Sequence, residues 1–505
     1  MRNFGFKFLR QNKELVLLVV LAFFIRLIGI SHSLPFVYNV DEPTVVRSTI
    51  MLRESLNPGH FDWPHFYYYI NGIFYSVFVL FRALLGFFKL QNVFPVLWQD
   101  PEVFYLISRV VTTIFASLTL IPVYKSIRLF LSKQNSLLTV LVFALIPYHV
   151  FISSFAVLEP AMLFFIAIAT YFILRVYLEN KTRDFILSGI FVGLACSVKY
   201  NAIFTVFPFI VANILYFYNK KSSFNIYISK ANVKNVGLFI VMLLVAFLAT
   251  SPFIIFDFKT FIRSDSPVGF FWQAQNLGRV SLELYPYLVL KNFLFILPKT
   301  VSVAIWGLFI YKFFQFTYLE KRKATEYISL CFIVIYVLYV SQFERQADHY
   351  FVPLYIFIII FCLDLFEKIF KNKKATLIFI GLIMVQVIYF KILIINTDSR
   401  TLASNWIMQQ VDKKEVKVLR YGEYFPILDG DHITIGNVDE FFYNDLAGKD
   451  YPAYIIWSNY NLWPDDLGTE DWEKIKTRSN EDGQIMYFTG FLNLGPNIVV
   501  FHPNW

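Results

Sequence analysis

The sequence predicts an α-helical protein that crosses a membrane many times and ends in a small α/β domain. Three observations carry this prediction. Hydrophobic residues make up 57% of the 505 and charged residues only 16%; the mean hydropathy is +0.55; and the basic residues gather in short clusters between long apolar runs. Soluble domains carry roughly a quarter charged residues, so this composition excludes one.

The first apolar run, Leu15 to Ile30, is flanked by Arg2, Lys7, Arg10 and Lys13 and ends without a small-residue cleavage site. It therefore reads as a retained signal-anchor helix with a cytoplasmic N-terminus. Further spans are expected near 104–124, 136–152, 160–178, 185–198, 202–218, 236–251, 291–311, 326–341, 350–367 and 375–395, giving eleven crossings. Basic clusters fix their direction, because basic residues near helix ends resist translocation. They include Lys125, Arg128 and Lys133; Lys220, Lys221, Lys230 and Lys234; Lys312, Lys321, Arg322 and Lys323; and Lys368 to Lys374. A twelfth crossing at His65 to Phe88 would place the Lys125 cluster outside. That segment is expected to lie at the outer surface, its His65-Phe66-Tyr67-Tyr68-Tyr69 start suiting the headgroup level, with an ordinary spanning helix as the alternative.

Residues 1–395 thus form the membrane part, with a first outer loop at 31–103 and a long one at 252–290, either a lid or an interfacial helix. Gly189 and Gly193 suit close helix packing, while Pro122, Pro147, Pro208 and Pro298 are expected to kink or end spans. Cys196, Cys331 and Cys362 all fall in apolar runs and imply no disulfide framework. Beyond Asn396 the charge changes sign: positions 396–505 hold 17 acidic and 9 basic residues. Asp398 to Met408 reads as a capped helix, and Val416–Leu419, Tyr454–Trp457 and Asn497–Phe501 read as strands. The eleven crossings place this 396–505 domain outside the cytoplasm. Its Trp457, Tyr460 and Trp463 suit either sugar stacking or a core, and Asp429-Gly430-Asp431 reads as a polar turn.

With that topology several ionisable residues share the outer side. Asp41 and Glu42 follow the first span, Glu159 stands at the turn into the fourth, Lys199 lies between the fifth and sixth, and Arg345, His349 and Tyr350 lie between the ninth and tenth. Charges at membrane depth are costly and mark functional sites, or else they snorkel or pair locally. A carboxylate there can take a proton from an acceptor hydroxyl, and cations can hold the phosphate left when a sugar departs from a lipid carrier. No Gly-rich phosphate loop or GxGxxG points to a nucleotide donor or nucleic acid.

Several segments in order carry a resemblance: Val40-Asp41-Glu42-Pro43; Asp62-Trp63-Pro64-His65 to Tyr69; Ser108-Arg109-Val110; Phe155 to Pro160; Ser197-Val198-Lys199-Tyr200; Thr250-Ser251-Pro252-Phe253; and Arg345 to Pro353. The chain resembles the integral-membrane glycosyltransferases of the GT-C type, in particular the protein O-mannosyltransferase and lipid A aminoarabinose transferase group. His65 replaces the second proline of the group's Pro-Pro-Leu-Tyr pattern, and the aminoarabinose enzymes' acidic-lysine pair is absent. The resemblance implies a GT-C fold and transfer of a sugar from a polyprenyl-phosphate carrier to a hydroxyl acceptor on a protein, lipid or glycan. It assigns Asp41, Glu42 and Glu159 to catalysis, and Arg109, Lys199 and Arg345 to the carrier phosphate, with His65, His349 and Tyr350 expected beside them. No metal or cofactor is required, although Asp41 and Glu159 could hold a divalent cation. The plasma membrane is the expected location, with the site facing outward. A flippase for polyprenyl-linked sugars and an inactive scaffold are the competing classes; a flippase predicts inverted repeats, which the sequence lacks.

Overall fold

The computed structural model describes residues 12–86, 101–220, 229–276, 278–318, 322–411, 416–421, 426–428, 433–437, 454–458, 484–488 and 493–502. The chain divides into two compact units. One runs to Ile30 and resumes from Asp41 to Ile388; the other takes Ser31–Val40 and the chain from Tyr389 onward.

The first unit is helical. Six stretches among the described residues are long and apolar enough to cross a membrane by length and composition: Glu102–Arg128, Glu159–Glu179, Tyr200–Asn219, Lys230–Thr250, Ala324–Ser341 and Lys373–Gln410, the last continuing into the second unit. Other expected spans are broken. The run at 136–152 becomes helices Lys133–Ala144 and Pro147–Ile152, that at 350–367 becomes Leu354–Phe361 and Leu363–Phe370, and that at 291–311 is interrupted between Leu297–Val301 and Val303–Tyr318, where Ser302 has φ 110°. Hydropathy reports what surrounds a segment, whereas a break depends on where the backbone hydrogen bonds lapse. Pro147 opens the helix Pro147–Ile152, where no intrahelical N–H is lost, while Pro122, Pro208 and Pro298 lie within three residues of a junction between helical segments.

The helices Thr182–Val198 and Lys230–Thr250 pack through the two glycines. A Cβ on Gly189 would stand 2.3 Å from the Phe239 carbonyl oxygen, and one on Gly193 2.3 Å from that of Leu243. The GxxxG therefore serves contact within the chain. Helix Phe66–Leu84 buries Tyr67, Tyr68, Asn71 and Tyr75, with the Tyr67 hydroxyl 2.6 Å from Thr112 Oγ1. Its other face exposes Ile73, Val77, Leu80, Phe81 and Leu84. Lys312, counted above within a basic loop cluster, is instead buried between Glu326 at 2.7 Å and Asp364 at 2.8 Å. A buried ammonium needs such partners.

The second unit holds helix Ser399–Gln410 and five strands, β1 Val416–Tyr421, β2 Ile433–Asn437, β3 Tyr454–Ser458, β4 Gln484–Phe488 and β5 Ile498–His502. Their order is β2-β1-β3-β5-β4, with β1 parallel to β2 and β3 and the remaining pairs antiparallel. Ala403 and Ile407 of the helix share a core with Val418, Tyr454, Ile456, Ile498 and Val500. Asp429, Gly430, Asp431, Tyr460 and Trp463, and the side chain of Trp457, lie outside the described residues.

Replacing Gly193 by leucine should separate the two packed helices and lower the thermal unfolding midpoint in detergent by several degrees, since overpacking costs about 1–3 kcal/mol or more. An unchanged midpoint would show that the helices do not touch there.

Candidate active site

The first-loop acids open the helix Asp41–Met51, yet they face different surroundings. Glu42 is 1% exposed and Arg109 0%. Arg109 donates from Nε to Glu42 Oε1 at 2.7 Å and from Nη2 to Oε2 at 2.8 Å, and its Nη1 reaches the Ile30 carbonyl at 2.8 Å. The Ala156 N–H adds a fourth bond, 2.7 Å to Glu42 Oε1. This fork ties together the end of the first helix, the helix that begins with Asp41, the helix Glu102–Leu118 and the loop leading to Glu159. Both side chains are enclosed by these bonds and by the packing around them.

Glu159 heads the helix Glu159–Glu179 and forms a very close ion pair with Lys199. Lys199 stands where helix Thr182–Val198 gives way to the 3-10 turn Tyr200–Thr205. His349 Nε2 lies 3.8 Å from the same Glu159 oxygen, and the Lys199 ammonium lies 5.5 Å from the centre of the Tyr350 ring. Asp41, which is partly exposed, lies within electrostatic range of Lys199, His349 and Tyr350. Arg345 is exposed and acts on Tyr350. Five of the expected residues, Asp41, Glu159, Lys199, His349 and Tyr350, therefore share one neighbourhood, and Arg345 borders it.

Burial disfavours the Lys199 ammonium, but the Glu159 charge outweighs it and holds the amine above its ordinary range. His349 is pushed below its ordinary value by burial and by Lys199, against the pull of Glu159. The cluster thus combines a fixed cation with a neutral imidazole near pH 7. Among the described residues no group of three His, Cys, Asp or Glu is arranged to hold a metal ion, and the Glu159 charge is already matched by Lys199.

His65 does not join the cluster. It is fully buried, its backbone N–H donates to Ser251 Oγ and its Nε2 to the His60 carbonyl, and burial pushes it down to about 4. His60 in turn bridges Ser48, 2.7 Å away, and Asp62, which fastens the first loop to the Asp41 helix. Arg279 is a residue whose placement the sequence did not show. An isolated bridge pairs it with Phe343, Val280 N–H donates to the Gln342 carbonyl at 3.1 Å, and Arg279 and Lys199 both act on Tyr339. The signal available was one of two arginines in a long aromatic loop.

Residues 105–256 match the family model described as dolichyl-phosphate-mannose-protein mannosyltransferase. The structure superposes on that of ArnT from Cupriavidus metallidurans in the apo state with a TM-score of 0.50 at 11% identity, covering 99% of this chain and 98% of that one. Over nearly its whole length the chain has the fold of ArnT. ArnT bound to undecaprenyl phosphate aligns at a TM-score of 0.46 and 10% identity over 96% of this chain and 97% of that one. The Archaeoglobus fulgidus oligosaccharyltransferase, in complex with Zn and sulfate, aligns at 0.43 and 13% identity over 87% of this chain and 68% of that one. No protein of curated function matches this chain by sequence.

Two outcomes follow. Arg109→Ala strands the Glu42 carboxylate and should destabilise the fold by about 3–5 kcal/mol, read as a lower thermal midpoint; an unchanged midpoint would mean the fork is not formed. Because the folded-state value of His65 lies below its unfolded one, protonation favours the unfolded chain. Wild type should lose stability relative to His65→Phe as pH falls from about 6.5 to about 4 and no further below that. Parallel midpoints for the two proteins across that range would place His65 in water.

Proposed function

We propose that this chain is a glycosyltransferase that moves a sugar from a polyprenyl-phosphate carrier to a hydroxyl acceptor on a protein, lipid or glycan, in a single inverting displacement. The observation that supports this most strongly is the convergence of Asp41, Glu159, Lys199 and His349 from four separated stretches of a membrane-embedded chain. Binding of undecaprenyl phosphate to ArnT and of dolichol phosphate to AglB of Archaeoglobus fulgidus is consistent with such a carrier.

The acceptor oxygen attacks the anomeric carbon while Asp41 takes its proton. The bond from that carbon to the phosphate oxygen breaks, and the electron pair leaves on the phosphate. Lys199 meets the developing charge as an ammonium. Glu159 keeps it protonated and aimed, Tyr350 stacks against it, and neutral His349 donates a hydrogen bond. Arg345, with Arg279 from the long loop beside it, binds the rest of the phosphate. Glu42 and Arg109 hold the start of the Asp41 helix. No divalent ion is needed in this scheme, because the phosphate charge is met by side chains.

The cluster faces away from the cytoplasm across the plasma membrane, a direction that the placement of the basic loops supports. The part from about residue 396 is an α/β domain on that same side and contributes to acceptor recognition.

Reconstitution with a radiolabelled polyprenyl-phosphate sugar tests this. Asp41→Asn should lower transfer by about 10²–10⁴-fold while carrier binding stays within about threefold. Lys199→Ala should weaken both binding and rate. A fully active Asp41→Asn enzyme would remove that carboxylate from the chemistry.

A further inference from the structure

The long loop leaves the helix Lys230–Thr250, one of those long and apolar enough to cross a membrane, and folds at once into two short helices, Phe253–Phe256 and Phe258–Phe261. Near the end of the long helix Val241, Leu244 and Val245 are exposed, as on a helix that meets lipid. Phe256 is six residues past Thr250, a reach of at most about 20 Å. The short helices therefore stand close to where that span ends.

This stretch is tied down on its inner side. Ile254 is buried, Asn57 Nδ2 donates to Asp257 Oδ2 at 2.8 Å, and the Phe61 N–H donates to the Val268 carbonyl at 2.6 Å. The Phe261 ring lies 5.6 Å from that of Phe61 and 5.4 Å from that of Phe270. Gly269 lets the chain double back: a Cβ there would stand 2.1 Å from the Arg263 carbonyl oxygen, which accepts from the Trp272 N–H at 3.1 Å.

Its outer side is different. Ile255, Phe256, Phe258 and Ile262 are exposed, Phe256 to 79%. Four large apolar side chains gathered within so short a stretch mark a contact surface rather than the scatter of an ordinary one. Asp257, Lys259 and Arg263 alternate with them, which keeps the stretch out of the hydrocarbon centre, where each charge is costly. Rings and branched chains interleaved with charges suit the boundary between headgroups and acyl chains: the apolar groups sink, and Lys259 reaches back to the headgroup phosphates.

We propose that Ile255, Phe256, Phe258 and Ile262 form a membrane-contact surface that seats the long loop in the leaflet where the helix Lys230–Thr250 ends. The occupant of this face is lipid, because the face continues from the exposed apolar side of that helix. One consequence rests on the carrier reading above. The Phe270 ring lies 4.8 Å from that of Tyr200, the residue after Lys199, so a loop seated in the leaflet sets the height of the Lys199 turn against the headgroups among which a lipid phosphate travels.

The test uses the full-length protein in nanodiscs of phosphatidylethanolamine and phosphatidylglycerol, with no carrier added, so that its outcome does not depend on the transfer reaction. In a Cys331→Ala background, which leaves only the two buried cysteines, single nitroxide labels are attached through Phe256→Cys, Phe258→Cys and, as a reference, Ser264→Cys at an exposed position. Collisions with oxygen, which concentrates in hydrocarbon, and with a neutral nickel chelate, which stays in water, are read by paramagnetic resonance. The labels at 256 and 258 should meet oxygen and escape nickel, at a depth of about 5–10 Å below the headgroups, whereas the label at 264 should meet nickel. Nickel collisions at 256 and 258 equal to those at 264 would place the face in water and overturn the proposal. Labels shielded from both reagents would overturn it too, since a second copy or another protein would then cover the face.

Discussion

The buried fork between Arg109 and Glu42 is the constraint on which the rest of the site depends. Both groups have left water, and each is tolerable there only because the other satisfies it. Four segments meet at that pair: Ile30 through its carbonyl, the helix that starts at Asp41, the helix that carries Arg109, and the loop at Ala156. Asp41 is the residue before Glu42, and Glu159 follows Ala156 by three residues. The two carboxylates nearest the proposed chemistry are thus carried on chain ends anchored to one ion pair. Rigid support of this kind is what a reacting group needs.

Above that framework the charges are matched unevenly. Glu159 is paired with Lys199 and approached by His349, while Arg345 lies exposed at the edge. The loop carrying Arg345 is itself tied down: Asn292 Nδ2 donates to Gln346 Oε1 at 2.9 Å, and Lys299 pairs with Asp348 at 2.6 Å. The bridge to Arg279 brings the long loop to the same place. Cations presented from anchored loops beside the Lys199 ammonium are suited to a phosphate that arrives and leaves with each turnover.

Much of this was legible in the sequence because charges next to apolar runs are expensive and therefore few. Asp41, Glu159, Lys199 and the stretch from Arg345 to Tyr350 stood out for that reason alone. Asp398 was legible as a cap because its side chain precedes a helical pattern, and it does accept from the Arg400 N–H. What the sequence did not show is partnership. Glu42 and Arg109 are separated by 67 positions, and nothing local shows that the two pair. His65 likewise read as a polar site residue, yet its ring is packed against Phe61 and Phe253. The breaks at Pro147 and Ser302 were hidden by apolar runs that continue across them, and the link from Arg400 to Tyr38 spans 362 positions.

The most direct measurement is a structure of the protein with a non-transferable polyprenyl-phosphate sugar bound. The account predicts the phosphate within hydrogen-bonding distance of Lys199 and Arg345, and the anomeric carbon facing Asp41 with room for an acceptor oxygen between them. A phosphate bound elsewhere, or a sugar ring turned away from Asp41, would contradict it.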